Sequence, residues 1–146
     1  LGCGDSITLH EVLDEWVFDG LELIVLSACH TGLSGVDATG EEILGFGYLM
    51  QNAGANAAIA SLWSVDDGGT QTLMSAFYTQ LLTSDVTKAE ALRQAQLTLI
   101  NQSNSAHSAP RGVTLVSQDG ETEPEIWNRL SHPYYWSPFI LIGNGR

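Results

Sequence analysis

Positive charge is scarce in this sequence. Lysine and arginine total 5 against 17 aspartates and glutamates, a formal charge of −12 over 146 residues. Such a surface repels phosphate backbones and argues against nucleic acid as a direct partner, while suiting basic polypeptides. Cysteine is equally sparse. Cys3 and Cys29 are too few for a disulfide scaffold in a chain this long, and no CxxC pair exists. His10, His30, His107 and His132 are scattered rather than clustered, so no metal site is expected. Long apolar runs are missing too. The best, Leu21 to Cys29, is interrupted by Glu22, so no membrane span is expected. No secretory signal is visible, and the sequence starts at Leu1 without a methionine. These features are read as a cytoplasmic protein with reduced thiols, present as a fragment or processed product. The glycines at 32, 35 and 40 fit neither a P-loop nor a GxGxxG pattern, so no cofactor is expected.

What is present is a globular composition, 44% hydrophobic and 15% charged, of a length that suits one domain. Two periodicities alternate along it. Leu9, Val12, Leu13, Trp16 and Val17 recur at helical spacing behind a capping box of Thr8 and Glu11. Leu23 to Leu26 is a short apolar run with β-branched residues, read as a strand buried on both faces. Thr39 and Glu42 cap a second helix through Ile43, Phe46, Leu49, Met50 and Ala53, stopped by Gly54. Ala57 to Leu62 reads as a second buried strand. Leu73, Phe77 and Leu81 mark a third helix, and Leu92, Ala95 and Leu99 a fourth, started by Thr87 and Glu90. Residues 101–125, rich in Ser, Asn, Gly and Pro, read as a flexible loop with a short extended piece at Val113 to Val116. Phe139 to Ile142 is a last strand. The alternation predicts an α/β sandwich with a parallel sheet.

In such sheets function gathers at the carboxyl ends of the strands. Two loops stand there: Ser27-Ala28-Cys29-His30-Thr31-Gly32, and Leu62-Trp63-Ser64-Val65-Asp66-Asp67. If their strands are neighbours, the loops share one edge.

The residues from Val25 to Gly32 resemble the nucleophile motif of CHAT domains, members of the caspase–separase–gingipain superfamily. Gly40-Glu41-Glu42 with Gly45 and Ala53-Gly54-Ala55, then Ser61 to Asp67, Lys88 to Gln96, and His132 to Phe139 resemble the family's later blocks. Five blocks in order cover nearly the whole chain, most of Ser103 to Glu125 excepted. The resemblance implies a caspase-like three-layer sandwich, with a mainly parallel sheet and helices on both faces. It implies a cysteine endopeptidase with a Cys–His dyad and a thioester intermediate, acting in regulated signalling. Cys29 is then the catalytic nucleophile, and Ser27, Trp63, Asp66 and Asp67 are substrate-binding candidates.

In the superfamily the catalytic histidine lies upstream of the cysteine, at the end of an earlier strand. The one upstream histidine here, His10, falls on a helical pattern. The expectation is that 1–146 form the C-terminal part of one CHAT peptidase domain, inert by itself. The histidine would come from the upstream part of that domain, as a flanking segment or a separate chain. CHAT domains often follow helical-repeat sensor regions, a further partner that the resemblance suggests besides the polypeptide substrate.

Plainer readings stand beside these. Cys29 is read as a buried thiol without the five blocks. His30 should point away from the side Cys29 faces. His132, before a proline and three aromatics, is read as a packing residue. Asp66 and Asp67 are good helix caps; alternatively one caps while the other meets a basic side chain, as in the separase loop they resemble. Other function classes are an inactive caspase-like interaction module and a thiol enzyme of another reaction type. In the complete domain, an electrophile should label Cys29 much faster than Cys3, read by mass spectrometry of the labelled peptides.

Overall fold

A computed structural model describes residues 17–18, 20–26, 40–102 and 123–146. These form β1 (Ile24–Leu26), α1 (Gly40–Asn52), β2 (Ala57–Ser61), α2 (Asp67–Thr83), α3 (Lys88–Gln102), α4 (Glu123–Leu130), α5 (Pro133–Trp136) and β3 (Phe139–Gly143). They belong to two compact units. The first takes in the chain to Ser64 with Phe139–Asn144, and the second Val65–Pro138 with Gly145–Arg146.

The first unit is a three-stranded sheet in the order β1-β2-β3 with α1 packed on it. β1 and β2 are parallel neighbours, as their sequence predicts, with Ile24, Val25 and Leu26 opposite Ala58, Ile59 and Ala60. β3 runs antiparallel to β2, placing Phe139 opposite Ser61 and Gly143 opposite Ala57. The described sheet is therefore mixed rather than mainly parallel. Ala57, Ala58, Ile59 and Ala60 are buried, as expected for the central strand. β1 is only half-buried along its length, which corrects its reading as a strand covered on both faces. Its one strand neighbour among the described residues is β2.

α1 turns Met50 inward, fully buried, where Met50 and Ala55 gather Phe18, Leu21, Ile24, Leu26 and Leu49 around them. Gly47 allows the helix to approach β3, since a methyl group there would collide with the Ile142 side chain. Gly54 ends the helical path with a φ of 105°, a left-handed conformation that costs glycine little. Asn56 ties the amino edge of β2 together. Its N–H donates to the Leu21 carbonyl at 2.8 Å, its side-chain amide donates to Glu22 Oε1 at 2.8 Å, and its carbonyl accepts from the Asn144 N–H at 2.9 Å.

The second unit is helical. α2 and α3, joined by residues 84–87, pack along each other. Leu73, Ala76 and Phe77 from α2 and Ala91, Leu92, Ala95 and Leu99 from α3 are buried, with Ile126, Trp127 and Leu130 from α4. Ala91 and Ala95 keep one face of α3 small. At the start of α3, Thr87 Oγ1 accepts from the Glu90 N–H at 3.2 Å, one half of the expected capping box. The Glu90 carboxylate instead accepts from Arg93 and Gln94, each at 2.7 Å.

Several expectations need correction. Val17, assigned to a first helix, is 81% exposed and lies outside any helix; the rest of that pattern, the Thr39 cap and the extended piece at 113–116 fall outside the described residues. The loop given as 101–125 is too wide at both ends. Asn101 and Gln102 finish α3, and Glu123 opens α4, whose apolar residues Ile126, Trp127 and Leu130 bury one face. Among the described residues, no helix is long and apolar enough to cross a membrane.

Two outcomes follow for stability. Gly143 has a φ of 96°, and a methyl group there would meet the Asn56 carbonyl oxygen at 2.7 Å. Gly143→Ala should destabilise by roughly 1–3 kcal/mol in urea denaturation. Hydrogen bonds from Arg93, then from Gln94, lower the Glu90 pKa from 4.5 to about 2. Because the folded pKa is depressed, this carboxylate stabilises the fold above the ordinary carboxylate range and loses that contribution as pH falls through about 2. Glu90→Gln should therefore be slightly less stable than wild type at neutral pH and converge with it in strong acid.

Candidate functional site

The parallel pairing of β1 with β2 sends both strands out at the same edge of the sheet. Leu26 lies opposite Ala60, so in sequence Cys29 stands as far past the last pair of β1 as Trp63 stands past its counterpart on β2. Ser27, Cys29 and His30 lie outside the described residues, as do His10 and His107. Trp63 is described. It is 40% exposed, which suits a wall residue better than a core one. The Ser61 hydroxyl donates to the Trp63 carbonyl at 2.6 Å and tightens the exit from β2 into a turn.

Asp66 and Asp67 belong to the helical unit, and the structure divides their roles. Asp66 is the N-cap of α2, in extended conformation with φ −61° and ψ 158°. Its Oδ1 accepts from the Gly69 N–H at 2.6 Å, satisfying one of the helix's unpaired donors. Its Oδ2 accepts from Arg129 Nη1 at 2.8 Å. Asp67 is the first residue of the helix. It is exposed, has no partner among the described residues, and sits where the helix dipole favours negative charge. Of the two expected roles, Asp66 takes the cap.

Arg129 was not singled out by its sequence context. It lies near the end of α4, and its guanidinium carbon stands 5.2 Å from the centroid of the Tyr135 ring on α5. Tyr135 in turn meets Tyr134 edge to face at 5.3 Å. The same Tyr135 ring presses on the first turn of α2, where a methyl group at Gly69 would lie 2.8 Å from a ring carbon. Asp66, Gly69, Tyr135 and Arg129 thus form a closed circuit of contacts. His132 is exposed and caps α5, its Nδ1 accepting from the Tyr134 N–H at 3.2 Å. It is a capping residue rather than the packing residue its neighbours suggested. Among the described residues no cluster of histidine, cysteine and carboxylate side chains could hold a metal ion.

The CHAT domain family model matches residues 4–144. The chain belongs to the CHAT domain family, within the caspase-like peptidase superfamily. No curated protein and no solved structure matches it. The motifs at Cys29 and at Trp63–Asp67 therefore belong to a CHAT domain and not to an unrelated α/β protein.

The cap and the ion pair are separable by substitution. Asp66→Asn keeps a capping oxygen and loses the charge for Arg129. Asp66→Ala loses both, and should cost about 1 kcal/mol more than Asp66→Asn in thermal or urea unfolding.

Proposed function

We propose that this CHAT domain is part of a cysteine endopeptidase in which Cys29 is the nucleophile. The observation that carries the reading is the parallel pairing of β1 and β2, whose carboxyl ends, Leu26 opposite Ala60, lie at one edge of the sheet just before the Cys29 motif and the Trp63 turn in sequence. A caspase-like sandwich would provide that edge as its substrate cleft.

The chemistry is acyl transfer. The Cys29 thiolate attacks the carbonyl carbon of the scissile peptide bond. The thiolate pair forms the C–S bond while the C=O π pair passes to the carbonyl oxygen, which is stabilised by backbone N–H groups that include the one on Cys29. Collapse of the tetrahedral species breaks the C–N bond, and a histidine delivers a proton to the departing amine. Water then attacks the thioester, releases the carboxylic acid and restores the thiol. The histidine is assigned to an upstream segment of the same domain. His132 is a less suitable source, because its Nδ1 already caps α5.

The substrate is a polypeptide with a basic residue before the cut bond. Asp67 is assigned to select it, being exposed and without a partner among the described residues, whereas Asp66 is engaged at both oxygens. A charge-assisted hydrogen bond to arginine or lysine gives the preference. Ser27 and Trp63 are assigned to the substrate-binding wall beside the nucleophile. The setting is regulated signalling in the cytoplasm, with a helical-repeat region as the sensing partner.

Two measurements on the complete domain test this. Cys29→Ala should abolish cleavage of a peptide library while Cys3→Ala leaves it largely intact; equal activity of wild type and Cys29→Ala removes the nucleophile. Asp67→Asn should lower kcat/KM for arginine-site peptides by the equivalent of roughly 1.5–3 kcal/mol relative to leucine-site peptides. A wild-type preference for leucine rejects the basic pocket.

A further inference from the structure

We propose that Arg129 is a built-in occupant of the acidic end of α2, a latch that reserves the second oxygen of Asp66 until α4 moves. This deepens the proposed basic selectivity and rests on it.

The two oxygens of Asp66 differ in kind. Oδ1 is committed to the Gly69 N–H within its own helix turn, and nothing outside α2 is needed to keep it there. Oδ2 is bound across 63 residues of sequence, to a side chain carried by the eight-residue helix α4. A guanidinium held by a carboxylate at 2.8 Å, with an aromatic ring 5.2 Å from its carbon, is in the setting that a free arginine side chain would seek.

The pair is open enough to exchange partners. The Arg129 side chain is 27% exposed and that of Asp66 38%. Ion pairs in such surroundings contribute little net stability and exchange easily. Basic side chains are also few. Of the other three described ones, Arg93 is bound to Glu90, Lys88 is buried with its ammonium on the Arg146 carbonyl, and Arg146 is the last residue of the sequence. Arg129 is paired with Asp66 at the start of α2.

The latch has a consequence for charge. With Arg129 in place, Asp66 is paired at both oxygens and Asp67 is the one of the two without a partner among the described residues. With Arg129 withdrawn, two adjacent carboxylates face the same basic ligand, and the Tyr135 ring is free to stack on it. The cap survives the exchange, because Oδ1 takes no part in it. Movement of α4 would therefore raise affinity for a basic residue without unravelling α2.

The test uses the isotope-labelled intact protein titrated with arginine amide, with citrulline amide as the uncharged isostere. The Gly69 amide and the Tyr135 ring report by chemical shift. Arginine amide should perturb both in wild type, and citrulline amide should not. Arg129→Gln should bind arginine amide at least about fivefold tighter, the equivalent of about 1 kcal/mol. Adding Asp66→Asn should remove that gain.

Arg129→Met, which keeps the apolar stem, should show the same gain and serves if the glutamine variant loses its fold. Equal binding by wild type and a folded Arg129 variant overturns the latch, as does a gain that persists with Asp66→Asn. If neither variant folds, the wild-type titration decides, and failure of arginine amide to shift Gly69 and Tyr135 rejects the exchange. The readout is binding and needs no thiol chemistry. A protein that binds as expected yet cleaves nothing keeps the latch and fails the peptidase reading.

Discussion

The pairing of β1 with β2 is the constraint on which the sheet unit depends. Parallel strands cannot be joined by a tight turn, so the chain must cross over between them, and α1 is the helix of that crossover. Register then does the rest. Because Leu26 lies opposite Ala60, the carboxyl ends of the two strands lie at one edge of the sheet. The tolerance for error is small. A slip by one residue would turn the Ile24 and Leu26 side chains away from the Met50 and Ala55 cluster, where they now pack. The buried methionine is thus tied to that alignment.

Much of this was legible in the sequence, because its signals are local. The apolar run at Ile24 to Leu26, the small-residue strand at Ala57 to Ser61 and the helix stop at Gly54 each follow from a few adjacent residues. So does a helix cap at Asp66 or Asp67, a residue type that competes well for free N–H groups, though the sequence leaves open which of the two caps. What the sequence concealed is either short or long-range. α4 and α5 are too brief for periodicity to stand out, and a serine- and glycine-rich stretch before them drew the loop boundary too far. The antiparallel direction of β3 is decided by how the connection from Leu62 to Pro138 returns to the sheet, which no local pattern records.

The candidate site was legible in the same uneven way. Cys29 and Trp63–Asp67 stand out as motifs after strands, and the family match supports the blocks that contain them. Arg129 carries no motif at all. Its pairing with Asp66 and its place over Tyr135 exist only once three helices have been brought together. That Asp66 and not Asp67 is also paired with Arg129 depends on that same assembly, and composition and spacing left the two carboxylates equivalent.

The position of β3 has a consequence for how the protein is made. It is the last of the described strands, yet it pairs with β2 along its whole length, and the helical unit lies between them in sequence. Contacts between α2 and α3 join neighbours across a short turn and cost little loop-closure entropy. The β2–β3 ladder joins distant segments and costs more. On a ribosome the helical pair emerges while β2 still has one side unpaired, and the sheet closes only after Phe139 to Gly143 have left the tunnel. Until then the alanine-rich β2 is a nascent edge, the kind of surface a chaperone has reason to cover.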